Sequence, residues 1–466
     1  AEVVVSTYDL ALVEAFNQYD LALDMLRKST VGDGVGAYSS SDTDAFQKVI
    51  EGFSDELNQE ELTPADYAAI VEKIRTACAD FSAKAKAYSK ADLASLIKSF
   101  EKQIAGIQIA VDKASADALL VKANGVSDDP NATREDIHTA YTQVSGFMKS
   151  MDAVKGDNYD LAGEWKLSLS AYSGDLQPTD KVTLPGTLDT NKKGNYNAYE
   201  DINRLSRYFT YTGPATYQMD VYISGGWSDK NIVLYMERSR QTSVWVNGVE
   251  VESPETSNVL PASQRYNLSG ALQYGKYNTI AITVDNTYTD LPKNGISNSH
   301  MATDETQTNW NGIVGAFSLQ INNKAYMEDL RVYPNQDLTS VTVEADLVNN
   351  ADAAYNGVLT LQCAGAEKRN INVSLAAGEK KTFTVSDYAM PKDVKLWSEF
   401  ETPLYEMTAS LDNGGRAQEK FGMRRFHSED SRLTINGKTV FLRNESNCAV
   451  FPLTGYAPMD EESWKD

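Results

Sequence analysis

The chain has 466 residues, of which 43 are Lys or Arg and 65 are Asp or Glu, for a formal net charge of −22. Such an excess of negative charge repels phosphate backbones and anionic headgroups, which argues against nucleic acid as a partner and against docking on a charged membrane. Hydrophobic residues at 42% and aromatic residues at 10% exclude a disordered chain, and the length suits several domains with separate cores.

Residues 1–155 carry the three-four apolar spacing of helices. The stripes are Leu12, Phe16, Tyr19, Leu23 and Leu26; Phe46, Val49, Ile50, Phe53 and Leu57; Tyr67, Ile70, Ile74, Cys78 and Phe81; Leu93, Leu96, Ile97, Phe100, Ile104 and Ile107; and Ile137, Tyr141, Val144, Phe147 and Met151. Thr63-Pro64 places a capping hydroxyl before a first-turn proline. Ser89 with Asp92 and Thr133 with Asp136 have the spacing of capping boxes, with Asp in place of the usual Glu. The expectation is an antiparallel bundle of four or five helices, acting as a packing domain rather than as a partner-binding module. Its most apolar run, Ile104 to Val111, is shorter than the roughly 20 residues of a membrane span and contains Gln108, so no membrane insertion is expected. The N-terminal AEVVVSTYD has neither a basic segment nor a long apolar one, so a secretory leader is expected to be absent from this chain.

At about residue 158 the period changes to two. Gly163 to Leu169 and Thr216 to Ile223 alternate, and turn signals recur at Leu184-Pro185-Gly186, Gly213-Pro214, Asn247-Gly248 and Asp285-Asn286. Residues 158–334 therefore predict an antiparallel β-sandwich. Residues 335–426 predict a second, smaller one of immunoglobulin-like size without a disulfide. In the tail, 427–466, Asn436-Gly437 between Leu433-Thr434-Ile435 and Lys438 to Leu442 predicts a hairpin with a type I′ turn.

Cys78, Cys363 and Cys448 lie far apart, as do His138, His300 and His427, so neither a disulfide framework nor a metal site is expected, and no cofactor motif is present. Twenty-five Tyr and six Trp in an acidic, strand-rich chain suit a carbohydrate ligand, because flat rings stack on sugars, although Tyr is also a good strand former.

Several stretches resemble glycoside hydrolase family 2. Trp227 to Arg238 followed by Val244-Trp245-Val246-Asn247-Gly248 is similar to that family's sugar-binding jelly roll. Tyr274 to Asn286 is similar to its next hairpin, and Thr306 to Gly315 to its closing loop and strand. Phe421 to Phe426, with Leu433 to Lys438 and Phe441-Leu442-Arg443, is similar to the entry into the catalytic barrel. The resemblance covers 158–466 and leaves the helical region outside it.

The resemblance implies retaining hydrolysis of a terminal β-linked sugar on an oligo- or polysaccharide. That chemistry uses two glutamates on later strands of a barrel of about 250 residues. Only about forty residues follow Phe426, so no catalytic residue is expected in this chain, which is expected to carry only the start of the barrel and to be inactive alone. Asn444-Glu445 matches the family's Asn-Glu pair but stands too early, just after the first barrel strand. Substrate contacts are expected from Asp304, Gln307, Asn309 and Trp310 in the closing loop and from Arg443, Asn444 and Glu445 near the first barrel strand. Trp310 could instead be sandwich core, and Asp189 to Tyr211 an additional wall. Cys448 stands where the family often has histidine, a departure from the galactosidase and glucuronidase pattern. The family's habits imply a secreted or periplasmic protein. The competing expectation is a non-catalytic carbohydrate-binding or adhesin protein built from the same sandwiches.

Overall fold

A computed structural model describes residues 7–59, 61–154, 157–178, 180–196, 208–259, 262–288 and 308–443, together with 462 and 465. The described residues form six helices, α1 (Thr7–Lys28), α2 (Ser40–Leu57), α3 (Pro64–Ala83), α4 (Lys90–Ile104), α5 (Ala110–Asp128) and α6 (Arg134–Ala153), followed by antiparallel sheets. Thr63, Ser89 and Thr133 each accept the backbone N–H three residues on, while Asp66, Asp92 and Asp136 accept the cap N–H in return. The shorter Asp thus completes all three capping boxes.

The helices have two cores rather than one. Ala15 and Ala22 of α1 pack with Phe46, Ile50 and Phe53 of α2 and Tyr67, Ile74 and Phe81 of α3. Leu93, Ile97 and Phe100 of α4 pack with Ala116, Leu119 and Ala123 of α5 and Val144 and Phe147 of α6. The single bundle of four or five helices is therefore corrected to two groups of three. The element missing from the apolar stripes is α5, whose buried face is Asp112, Ala116, Leu119 and Ala123 and so carries only one bulky apolar residue.

Residues from Asn158 to Asn322 build two sheets around one core. One sheet pairs Asn158–Asp160, Gly312–Asn322, Asn231–Ser239 and Gln264–Asn267, with Gly186–Thr187 beside Gly312. The other runs Val249–Val251, Gln241–Val246, Lys276–Asp285, Pro214–Ile223, Gly163–Ser168 and Asp180–Leu184. Trp165, Tyr217, Trp227, Met236, Tyr266 and Phe317 fill the space between them. Strand Pro214–Ile223 is buried on both faces. Tyr217, Val221 and Ile223 face the sandwich, whereas Tyr222 belongs to the core of α4–α6, its ring 4.3 Å from Phe147.

The helices are fastened at this strand. Asp112, fully buried at the start of α5, accepts hydrogen bonds from Tyr222 Oη (2.8 Å), Ser224 Oγ (2.7 Å) and Gly225 N (2.8 Å). Beside it, Ile109 and Val111 lie against a socket of three glycines. A Cβ built at Gly225 would come within 2.5 Å of Val111, one at Gly226 within 2.6 Å of Ile109, and one at Gly275 within 2.5 Å of Val111. Ser150 Oγ of α6 adds a buried bond to the Tyr222 carbonyl (2.8 Å).

A second pair of sheets follows. Ala325–Pro334, Ser340–Asn349 and Lys380–Ala389 form one, and Arg369–Leu375, Tyr355–Cys363, Tyr405–Leu411 and Arg416–Phe421 the other, around Leu347, Leu361, Tyr388 and Met407. On its outer face Arg331 donates to Asp346 at 2.8 and 3.0 Å and to Asp329 and Glu344, and Thr382 Oγ1 donates to Asp346 at 2.6 Å. These contacts, the Arg331 hydrogen bonds foremost, hold the Asp346 carboxyl below its ordinary value of 3.8. A carboxyl depressed in the folded state stabilises above its unfolded value and loses that contribution as pH falls through the folded one. Urea unfolding followed below about pH 4 is therefore expected to show Asp346→Asn with a shallower acid loss than the parent; equal slopes would remove Asp346 from the acid response.

In the tail, Phe426–Glu429, Arg432–Ile435 and Lys438–Thr439 form a three-stranded sheet. Asn436 and Gly437 both have positive φ, 51° and 76°, as a type I′ turn requires.

Candidate functional site

Four loops meet at one end of the first sandwich: 187–193, 211–214, 285–288 and 308–311. Asn311 is buried and uses its whole amide: Nδ2 donates to Gly213 O (3.0 Å) and Val284 O (2.9 Å), and Oδ1 accepts from Tyr217 Oη (2.8 Å). Its carbonyl accepts Leu188 N at 2.8 Å, which brings in the first loop. Asn286, also buried, donates to Tyr211 O and Asn309 O at 2.9 Å each and accepts Gly213 N at 2.9 Å. Asn309 returns a bond from Nδ2 to Asn286 O at 3.0 Å. Two amides therefore staple the loops, doing for irregular backbone what ladder bonds do for strands.

Burial raises the Tyr217 phenol pKa, so Tyr217 remains a neutral donor to Asn311. Gly312, which follows directly, has φ 144°, and a Cβ there would lie 2.3 Å from Gly186 O. Glycine is what allows the closing strand to approach this loop.

Trp310 is 7% exposed, with the Arg240 guanidinium 4.2 Å above its ring. Arg240 is itself buried and donates through Nε to Trp310 O (3.1 Å) and through Nη2 to Thr308 O (2.9 Å). Tyr288 Oη and Thr308 Oγ1, on either side of segment 289–307, are buried without a hydrogen-bond partner among the described residues. Buried hydroxyls in native proteins normally have a partner, so this pair marks capacity for a further polar group.

The structure brings Asn309 and Trp310 together at this loop end. Arg443 is exposed beyond the tail sheet, which is tied through Asn436 Nδ2 to Trp397 O (2.8 Å) beside the second sandwich. Asp304, Gln307, Asn444 and Glu445 lie outside the described residues, as does Cys448. Sequence reasoning placed Asn286 in a turn and Asn311 in a motif, but gave neither a role. Arg240 and Tyr217 carried no local signal, because their importance comes from partners about 70 and 94 positions away in the chain. Among the described residues no group of three or more His, Cys, Asp and Glu gathers as a metal site, and no helix is long and apolar enough to cross a membrane. Cys78 and Cys363 are free thiols.

Paired antiparallel sheets, with loops stapled by buried amides at one end, define a β-sandwich scaffold. Residues 325–424 match the sequence model of the family "Glycosyl hydrolases family 2". Among solved structures the chain is similar to a Bacteroides uniformis beta-glucuronidase 2, covalently bound to cyclophellitol-6-carboxylate aziridine, with 19% identity and a TM-score of 0.50 over 61% of this chain and 35% of that one. It is also similar to a glycosyl hydrolase family 2 member from Bacteroides cellulosilyticus (17%, TM-score 0.48, 61% and 39%). A family 2 beta-galacturonidase from Eisenbergiella tayi bound to galacturonate gives 17%, a TM-score of 0.46, and coverage of 61% and 46%. The chain thus spans between about a third and a half of the length of these structures. No curated protein matches it in sequence. The resemblance to glycoside hydrolase family 2 is supported by the match over 325–424, and the structural likeness is one of fold.

Proposed function

We propose that this chain is the non-catalytic N-terminal part of a family 2 retaining exo-β-glycosidase acting on terminal sugars of oligo- or polysaccharides. In this proposal the first sandwich is the family's jelly roll, the second is immunoglobulin-like, and the tail begins the catalytic barrel, which carries both catalytic glutamates away from the sandwiches. The observation that carries it is the loop end. Asn309, Trp310 and the unpartnered hydroxyls of Tyr288 and Thr308 stand there, at the two points of the sequence that flank residues 289–307, among which are Asp304 and Gln307.

Asp304, Gln307 and Asn309 would meet the terminal sugar from the sandwich side, and Arg443, Asn444 and Glu445 from the barrel side. Trp310 would hold the loop in place beneath Arg240. A polysaccharide substrate would put the protein in the periplasm or outside the cell.

The test is hydrolysis of aryl β-glycosides by the complete gene product, with the anomer of the first-formed sugar followed by NMR. Retention of configuration is expected, as is loss of on the order of 1–3 kcal/mol of transition-state stabilisation in Asp304→Ala or Gln307→Ala. Inversion, or no cleavage of any glycoside, would overturn the proposal.

A further inference from the structure

The helical region reaches the candidate site at its other end. The guanidinium of Arg27, in the last turn of α1, lies 3.9 Å over the ring of Tyr196, and Lys192 Nζ donates to the carbonyl of Ser29. Both contacts cross more than 160 positions of sequence and join α1 to the turn whose Leu188 is bonded to Asn311, next to Trp310. We propose that the end of α1 and segment 192–196 form an anion-recognising subsite for a saccharide bearing carboxylate or sulfate groups, with Arg27 and Lys192 meeting the charge.

The neighbouring cations are neutralised. Lys28 pairs with Asp24 at 2.8 Å and Lys193 with Asp180 at 2.7 Å. Arg27 and Lys192 have no carboxylate partner among the described residues, in a chain that carries 22 more negative than positive charges. With so many carboxylates available, two cations at the junction of α1 and segment 192–196 carry no counter-charge among these residues, which leaves their charge to an external anion.

The Tyr196 ring 3.9 Å away steadies the Arg27 guanidinium, whose planar N–H fork suits two-point contact with a carboxylate or sulfate. Lys192 is half-buried and has φ 55°, a left-handed conformation that non-glycine residues rarely adopt. The turn bonds Lys192 N to Asp189 O (3.0 Å) and Lys193 N to Leu188 O (2.8 Å) hold it there and direct its side chain toward α1. Burial also holds its ammonium below the ordinary lysine pKa. A desolvated cation of this kind gains from an arriving anion what it lacks in water.

This inference rests on the carbohydrate reading of the loop end. It is tested by titration calorimetry of the 466-residue chain with three probes: a short oligogalacturonate, a sulfated galactan oligosaccharide and a neutral galactan oligosaccharide. At least one anionic probe is expected to bind roughly tenfold more tightly than the neutral one, and which one does so distinguishes carboxylate from sulfate. The preference should shrink as salt is raised. Arg27→Gln with Lys192→Gln should reduce anionic binding to the neutral level, while Arg27→Lys alone should keep part of it. Neutral and anionic probes binding alike, a preference indifferent to salt, or an unchanged double variant would each overturn the subsite and leave the carbohydrate reading standing. Failure of all three probes to bind the parent chain would likewise overturn the subsite, whereas the carbohydrate reading stands or falls on the glycoside assay of the complete gene product.

Discussion

Asp112→Ala is expected to lower the unfolding free energy by about 3–5 kcal/mol and to release α4–α6 from the sandwich. The carboxylate takes three hydrogen bonds in a fully buried setting, and its removal strands the donors Tyr222 Oη, Ser224 Oγ and Gly225 N. Leaving buried donors unpaired costs more than the net worth of the bonds themselves. Asp112→Asn retains an acceptor oxygen and should cost less, and Tyr222→Phe, which removes a single partner, about 1 kcal/mol. Urea unfolding with far- and near-ultraviolet circular dichroism measures all three. An Asp112→Ala protein within about 1 kcal/mol of the parent would show that the helices are held by apolar packing alone.

Trp310→Ala is expected to cost a similar amount, about 3–5 kcal/mol, because it removes a buried indole and uncovers the Arg240 guanidinium above it. Arg240 would keep its bonds to the carbonyls at 308 and 310 only if the loop stayed in place, and the ring is what packs the loop there. Asn309→Ala should cost about 1 kcal/mol, since it deletes the side-chain bond to Asn286 O but leaves the backbone carbonyl that Asn286 holds. Denaturant midpoints separate the two. A large loss in Asn309→Ala with little in Trp310→Ala would mean that the amide lattice, not the ring, fixes the loop.

Much of the fold was legible where the pattern is local. The cap at Thr63, the boxes at Ser89 and Thr133 and the turns at Asn247-Gly248 and Asn436-Gly437 are short-range chemistry, and each formed as expected. The fourth apolar stripe extends to Ile107, whereas α4 stops at Ile104 and a new helix begins at Ala110. That boundary was hidden because Ile104 to Val111 is apolar throughout, and because the buried face of α5 is alanine, leucine and an aspartate. The second half of strand Pro214–Ile223 looked half-exposed by alternation, but its outward Tyr222 is covered by α6, a fact set by helices more than 65 positions away. At the loop end, Asn309 and Trp310 were within reach of motif reading. The roles of Asn286, Asn311 and Arg240 depend on which carbonyls they meet, and that is decided only once the sheets have closed.

The glycine socket turns the sandwich into a record of what sits on it. A sheet rim open to water accepts almost any side chain, yet at Gly225, Gly226 and Gly275 even a methyl group would collide with Ile109 or Val111. In a relative built on the same sandwich, the residues at 225 and 226 therefore report whether helices dock there: two glycines for a seated α5, bulkier residues for a bare or differently covered rim, whereas Gly275, at φ 71°, favours glycine either way. The docked helices can thus be traced through sequences of the sandwich alone.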